Sequence, residues 1–358
     1  MPQRRIVITG GAGFIGCAVS QHLTATNEGL LALDVMHPQV HKVDGRPPRL
    51  GENVELWPFD VTNPTAWDAL LRLVKPTTII HLAAETGTGQ SLREATRHGS
   101  VNVVGTTQML DALTRAGHVP EHIILTSSRA VYGEGAWEAD GDRYYPSARS
   151  HVDLEAGRWD PAGPDGRVGH AVASTAGSTA AGPTNIYAAT KLGQEHILAA
   201  WGAAMQCPVS ILRLQNVYGV GQSLDNPYTG VLSIFARTVL AGSTIEVYED
   251  GEIVRDFVYI DDVASAIVAA VERPPNAVRT VDIGSGSSTT ILQVAKAMAE
   301  LAGAPEPSIS GAYRDGDVRA ASCTIDAARS ELQYRPAWNL DRGLAALLDG
   351  ARTELEAR

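Results

Sequence analysis

The stretch Arg5-Ile6-Val7-Ile8-Thr9, followed by Gly10-Gly11-Ala12-Gly13-Phe14-Ile15-Gly16, reads as a strand, a glycine-rich turn and the opening of a helix. Gly10 permits the tight turn, Gly13 lets backbone approach a pyrophosphate, and Gly16 allows the helix to pack closely on the strand. The helix N-terminus presents unpaired N–H groups to the anion. Asp34 ends the next apolar run, eighteen residues after Gly16, where a carboxylate can accept from the adenosine ribose hydroxyls. The pattern predicts a bound dinucleotide. Asp34 would repel a 2′-phosphate, which favours NAD over NADP, while His37, His41 and Lys42 beside it pull the other way.

Outward from this start, apolar runs of strand length at residues 5–9, 29–33, 54–59, 77–82, 121–126 and 209–214 alternate with segments of helical period at 13–25, 64–74, 101–116 and 187–204. Strands buried on both faces read as continuous apolar runs, so the expected fold class is α/β, a doubly wound parallel sheet of the Rossmann type. The predicted division is a dinucleotide-binding domain over residues 1–218 and a smaller C-terminal α/β lobe for substrate over 219–358. In that lobe a turn at Asp225-Asn226-Pro227, a short run at 245–248 and helices at 261–271, 291–301 and 340–353 are expected, with chain exchange between the lobes left open. Residues 134–183, rich in Gly, Ala, Ser, Asp and Pro, read as a surface insertion whose part at 171–183 is expected to be mobile.

Composition narrows the class further. A chain of 358 residues, 44% of them apolar, can bury a sizeable core. A net charge of -11 with dispersed basic residues gives no footprint for nucleic acid or an anionic membrane. Cys17, Cys207 and Cys323 are odd in number and far apart, which points to a reducing compartment and a cytoplasmic protein. His151 and His170 lack cysteine partners, and no metal is expected.

The reacting groups are predicted from two later strings. Tyr187 and Lys191 are spaced i, i+4 and share one helix face. A phenol is a poor base at neutral pH, but a neighbouring ammonium and a cationic nicotinamide favour the phenolate. Ser128, at the end of the strand that carries Thr126 and Ser127, would orient the substrate hydroxyl. Asp60-Val61 follows the third strand, where Asp60 either bonds the adenine amino group or caps a turn before Pro64. The small residues of His81-Leu82-Ala83-Ala84 let a cofactor pass close to backbone, and His81 itself reads as a satisfied core histidine.

Taken together, Gly10 to Gly16, Asp34, His81-Leu82-Ala83-Ala84, Asn102-Val103-Val104-Gly105-Thr106, Ser127-Ser128-Arg129-Ala130-Val131-Tyr132-Gly133, Tyr187-Ala188-Ala189-Thr190-Lys191 and the run from Arg255 to Val263 resemble the extended short-chain dehydrogenase/reductases acting on nucleotide sugars. Within that family the segment from Glu85 to Ser91, the string from Ser127 to Gly135 and the long insertion are most similar to the dTDP-L-rhamnose 4-epimerase branch. The resemblance implies NAD as cofactor, held by Gly10, Gly13, Phe14, Ile15, Gly16, Asp34, Asp60, Val61, Leu82, Ala83, Ala84, Asn102, Thr126, Tyr187 and Lys191. It implies a nucleoside-diphosphate sugar on Thr86, Ser128, Asn216, Arg255, Arg314 and Asp317, catalysis by Ser128, Tyr187 and Lys191, and a homodimer built on the helices at 101–116 and 187–204. The physics agrees with the arginines, since guanidinium forks can neutralise a diphosphate on an acidic protein.

The related dehydratases carry an Asp-Glu pair after the Ser/Thr, and the decarboxylases keep the Glu. Arg129 and Ala130 stand there in this chain and cannot do that acid–base work, unless a carboxylate such as Glu85 or Glu134 substitutes. Oxidation at C4 and return of the hydride is therefore the expected reaction, an NAD-dependent 4-epimerisation of a dTDP- or UDP-sugar. A 4-ketoreductase using the same residues stays open, and a dinucleotide-binding protein without catalysis is argued against by the intact Ser128, Tyr187 and Lys191.

Overall fold

The computed structural model describes residues 5–23, 29–41, 45–224 and 230–356. The expected turn at 225–227 and the Lys42 side chain lie outside them. At the centre is a seven-stranded sheet, with every neighbouring pair parallel. Its strands are β1 (Arg5–Thr9), β2 (Gly29–Asp34), β3 (Glu55–Pro58), β4 (Thr78–His81) and β5 (His122–Ser128), continued past β5 by Val209–Leu214 and then Val278–Ile283. The spatial order runs from Val278–Ile283 through Val209–Leu214, β5, β4 and β1 to β2 and β3. The direction of winding reverses between β1 and β4, and at such a switch point the loops beyond the strand ends part to leave a crevice.

The strands sit where the apolar runs placed them because their side chains are covered on both faces. Ile6, Ile8, Ile80 and Ile124 face one buried cluster; Val7, Ile79, Ile123 and Leu125 face the other. Helix α1 (Phe14–Leu23) and the helix Ile260–Glu272 pack on the first side, and α2 (Pro64–Leu73) with the helix Gly105–Arg115 on the second.

The sheet also takes a strand that the sequence pattern leaves unannounced. Val278–Ile283 pairs in register with Val209–Leu214 although it follows the first C-terminal elements. A strand pair and a three-stranded sheet then lead away from it: Asn216–Tyr218 alongside Phe257–Tyr259, and Val254–Arg255 between Thr289–Thr290 and Ala320–Ala321. The helix expected at 101–116 is a π-helical turn over Gly99–Val104 running into the α-helix Gly105–Arg115. A Cβ at Gly105 would stand 2.7 Å from Val61 Cγ2, so the helix is drawn against the loop beyond β3.

The insertion departs most from its sequence expectation. Ala136–Ala139 pairs antiparallel with Asp142–Tyr144 on one side and His170–Val172 on the other, and a short helix covers His151–Glu155. Trp137 and Leu154 are buried. The part expected to be mobile is tied to the C-terminal lobe, where Ser174 N donates to Ser322 O and Thr324 N to Ser174 O, both at 2.9 Å. Turn-forming residues mask this order because each element is too short to show a period. Among the described residues no helix is long and apolar enough to cross a membrane.

Candidate active site

At the tip of β1 the glycine turn is shaped by its neighbour strand. Gly10 has φ 66°, and a Cβ there would lie 2.8 Å from Ala83 N in the loop beyond β4. A Cβ on Gly16 would lie 2.5 Å from Gly10 O, so α1 can approach the turn only without a side chain. Phe14 and Ile15 pack into the core, leaving their backbone at the N-terminus of α1. Asp34 is held by Ala12 N donating to Oδ2 (3.1 Å) and Met36 N donating to Oδ1 (2.9 Å). His41 Nε2 stands 3.5 Å from Oδ1, so of the basic residues named beside Asp34 one does reach it.

From these residues runs a cleft of about 390 Å³, bordered by Gly10, Gly13, Asp34, Asp60, Val61, Leu82, Ala83, Ala84 and Thr86. Asp60 is not the cap of α2; its Oδ1 accepts from Thr62 N and Oγ1 and closes a turn, while Asn63 caps the helix. Asn102 is buried and serves the loop over the cleft: Nδ2 donates to Glu85 O (3.0 Å) and Thr190 Oγ1 (2.9 Å), and Oδ1 accepts from Glu85 N (2.8 Å). Thr126 is buried in β5, in register with Leu212. A side-chain-free turn, a helix N-terminus and an oriented carboxylate along one cleft fit a dinucleotide without a 2′-phosphate.

The residues expected to react lie near the end of β5. Asn185 caps the helix Ile186–Met205 by accepting from Ala188 N (2.9 Å), which puts Tyr187 in the first turn and Lys191 one turn on. The Ser128 hydroxyl, which accepts from Ala130 N (3.2 Å), lies close enough to the Tyr187 phenol to favour its phenolate. Burial raises the phenol above its usual range, and Ser128 and the charge of Arg129 oppose it. Lys191 differs from its expected role here. Its Nζ donates to Gln194 Oε1 (2.6 Å), and burial pushes the ammonium down to about 7, with Glu195 working the other way. The cation acting on Tyr187 in this structure is Arg129.

Two buried polar chains lie behind the site, and both begin on the helix face that carries Lys191. In one, Gln194 Nε2 donates to Thr106 Oγ1 (2.8 Å), His81 bonds Thr106 and Thr9, and Thr9 Oγ1 accepts from Ala83 N. Burial and then Lys191 hold the His81 imidazole down to about 3, as a core histidine. In the other, Glu195 accepts from Ser127 Oγ (2.5 Å) and pairs with Arg213 (2.7 Å); Arg213 lies over the Tyr132 ring, and Tyr132 Oη donates to Asp282 (2.9 Å). Asp282 also accepts from Ala176 N of the insertion (2.7 Å). Gln194 and Glu195 escaped the motif reading, although polar residues on a buried helix face were a visible signal.

Of the residues expected to bind substrate, the structure pairs Arg255 with Asp317, and the charge of Arg129 reaches Asp317. Arg255 is buried and donates to Asp317 Oδ1 (2.7 Å) and to the carbonyls of Val254 and Val318. Burial works upward on the Asp317 carboxyl, yet Arg255, Arg129 and Arg149 hold it below the usual range. Asn216 Oδ1 is buried without a partner among the described residues. Arg314 is not in this group: it is exposed, its guanidinium 5.1 Å from the centroid of the Tyr248 ring. Neither candidate replacement carboxylate is free. Glu85 pairs with Arg97 (2.9 Å); Glu134 accepts from Arg319 N (2.9 Å), and burial pushes it up to about 7.

Fold and cleft together define a dinucleotide-dependent enzyme. The profile of the NAD dependent epimerase/dehydratase family matches residues 6–150 and 162–284, and the chain belongs to that family. It is an NAD-dependent nucleotide-sugar epimerase. It is 52% identical to the dTDP-L-rhamnose 4-epimerase of Burkholderia thailandensis over 356 residues, covering 99% of this chain and 97% of the relative. With the UDP-glucose 4-epimerase of Mycolicibacterium smegmatis it shares 28% identity, over 98% and 99% of the two chains. Among solved structures, the UDP-glucose 4-epimerase of Thermotoga maritima with UDP-glucose superposes with a TM-score of 0.78 at 27% identity, covering 98% and 99%. That of Thermus thermophilus in complex with NAD gives 0.75 at 26%, covering 97% and 99%.

Proposed function

We propose that this enzyme inverts C4 of a dTDP-linked 6-deoxyhexose, with dTDP-L-rhamnose as one member of the epimer pair. The observation that carries the C4 chemistry is the approach of Ser128 to the Tyr187 phenol beyond β5, with Arg129 and Ala130 where elimination would need carboxylates. The choice of sugar rests on the 52% identity to the Burkholderia enzyme over nearly the whole chain.

NAD, held on Gly10, Gly13, Gly16 and Asp34, supplies a hydride acceptor that returns what it takes. Tyr187 as phenolate takes the C4 hydroxyl proton when hydride leaves C4, and gives it back to the alkoxide after hydride returns to the opposite face. Ser128 holds the sugar oxygen through both steps. Lys191, released from Gln194, would support the phenolate and the nicotinamide ribose. Arg255, Asp317 and Asn216 keep the nucleotide end anchored while the 4-keto ring turns, so that binding far from C4 retains the intermediate. Tyr187→Phe is expected to lower epimerisation by roughly 10²–10⁴-fold with NAD still bound; full turnover in that variant would contradict the assignment.

A homodimer fits the partly exposed Val101 and the 43% exposed Val104 of the π-helical turn, beside the catalytic helix. Light scattering is expected to give twice the chain mass, and Val104→Glu to shift it toward one. Three free, buried thiols suit a reducing cytoplasm and a place in deoxysugar biosynthesis.

A further inference from the structure

Arg129 follows the catalytic serine directly, in the 3₁₀ turn Arg129–Tyr132 that Ser128 caps. Among the described residues its guanidinium makes no hydrogen bond and no ion pair, although it is mostly removed from solvent. It also borders a small polar cavity with Tyr132, Glu134, Ser174 and Gln215, and both polar atoms of the buried Gln215 amide lack a hydrogen-bond partner among the described residues. A desolvated cation with unused donors is costly in a folded protein, and such groups persist where a ligand completes them.

The charges around Arg129 suit an anionic ligand shared with the residues of the site. Arg255, Asp317, the Tyr187 phenol and Glu134 all lie within electrostatic reach of its guanidinium, and Glu134 lines the same cavity. Burial and then Arg255 lower the guanidinium to about 10, as expected of two cations facing one space. A nucleoside-diphosphate sugar with C4 at Tyr187 and its nucleotide end at Arg255 passes its glycosyl phosphate between them. A contact to the hexose itself would resist the turn of the ring, whereas a contact to the phosphate anchors the pivot and leaves the ring free.

We propose that Arg129 binds the sugar-bearing phosphate of the nucleotide sugar and so holds the pivot about which the 4-keto ring turns. This inference rests on the nucleotide-sugar reading of the site.

The NAD-loaded enzyme can be titrated calorimetrically with dTDP, whose terminal phosphate stands for the sugar-bearing one, and with dTMP, which lacks it. Arg129→Met is expected to weaken dTDP by about 10- to 100-fold, the scale of lost charge-assisted hydrogen bonds, and to leave dTMP unchanged. Its melting temperature should equal or exceed that of the wild type, whereas a structural arginine would lower it. Arg129→Lys, which keeps the charge and loses the fork, should fall between the two. Equal losses for dTDP and dTMP, or none for either, would overturn the role of Arg129. Wild-type enzyme that binds neither dTDP nor UDP would overturn the nucleotide-sugar reading, and this inference with it.

Discussion

Lys191 shows how a motif can be right in place and altered in state. Buried and turned to Gln194, it loses its proton near 7, whereas in the unfolded chain it keeps the proton to its ordinary value of 10.5. Between those values the unfolded state binds the extra proton, so this group makes stability rise with pH across the window and penalises folding fully below it. Lys191→Met in nucleotide-free protein is therefore expected to melt higher than wild type, with a gain largest at pH 7 and shrinking toward pH 10; pH-resolved calorimetry reads it. The residues of the cofactor turn and the Ser/Tyr/Lys centre were legible because spacing alone places them. Arg129 and Gln194 were not, because their meaning comes from what the fold sets opposite them.

Among the elements, the helix Ile186–Met205 does most to assemble the site. Asn185 sets its first turn, and Asn185→Ala should cost about 1 kcal/mol together with a fall in kcat, since Tyr187 and Lys191 are counted from that cap. The face that carries Lys191 also carries Glu195, whose pairing with Arg213 ties the helix to the strand Val209–Leu214. Glu195→Gln leaves a buried guanidinium without its counter-charge and should cost about 3–5 kcal/mol in urea denaturation. The strands around the site were visible as apolar runs, but the addition of Val278–Ile283 to the sheet was not. A crossover of that length leaves no local mark, and only pairing geometry reveals it.

Over the whole molecule, the insertion closes onto the C-terminal lobe through a charge network with a buried centre. Arg149 reaches Glu249 (2.8 Å) and Glu134 (3.4 Å), and Arg319 joins Glu249, Asp250 and Asp160. This network explains why a stretch that reads as loose is built into the wall beside Arg129 and Gln215. Arg149→Met is expected to expose the insertion to limited proteolysis while the rest of the chain resists, and to raise KM more than it lowers kcat; an unchanged digestion pattern would argue against the tether.

In the proposed reaction a C4 hydride leaves and returns within one active site whose NAD is not consumed. The direct measurement incubates purified enzyme with dTDP-L-rhamnose and no added nicotinamide, following C4 configuration by NMR. The account predicts approach to a mixture of the two C4 epimers, with NAD released only on denaturation. Absence of interconversion, together with reduction of a 4-keto sugar only when NAD(P)H is supplied, would contradict it and make the enzyme a ketoreductase.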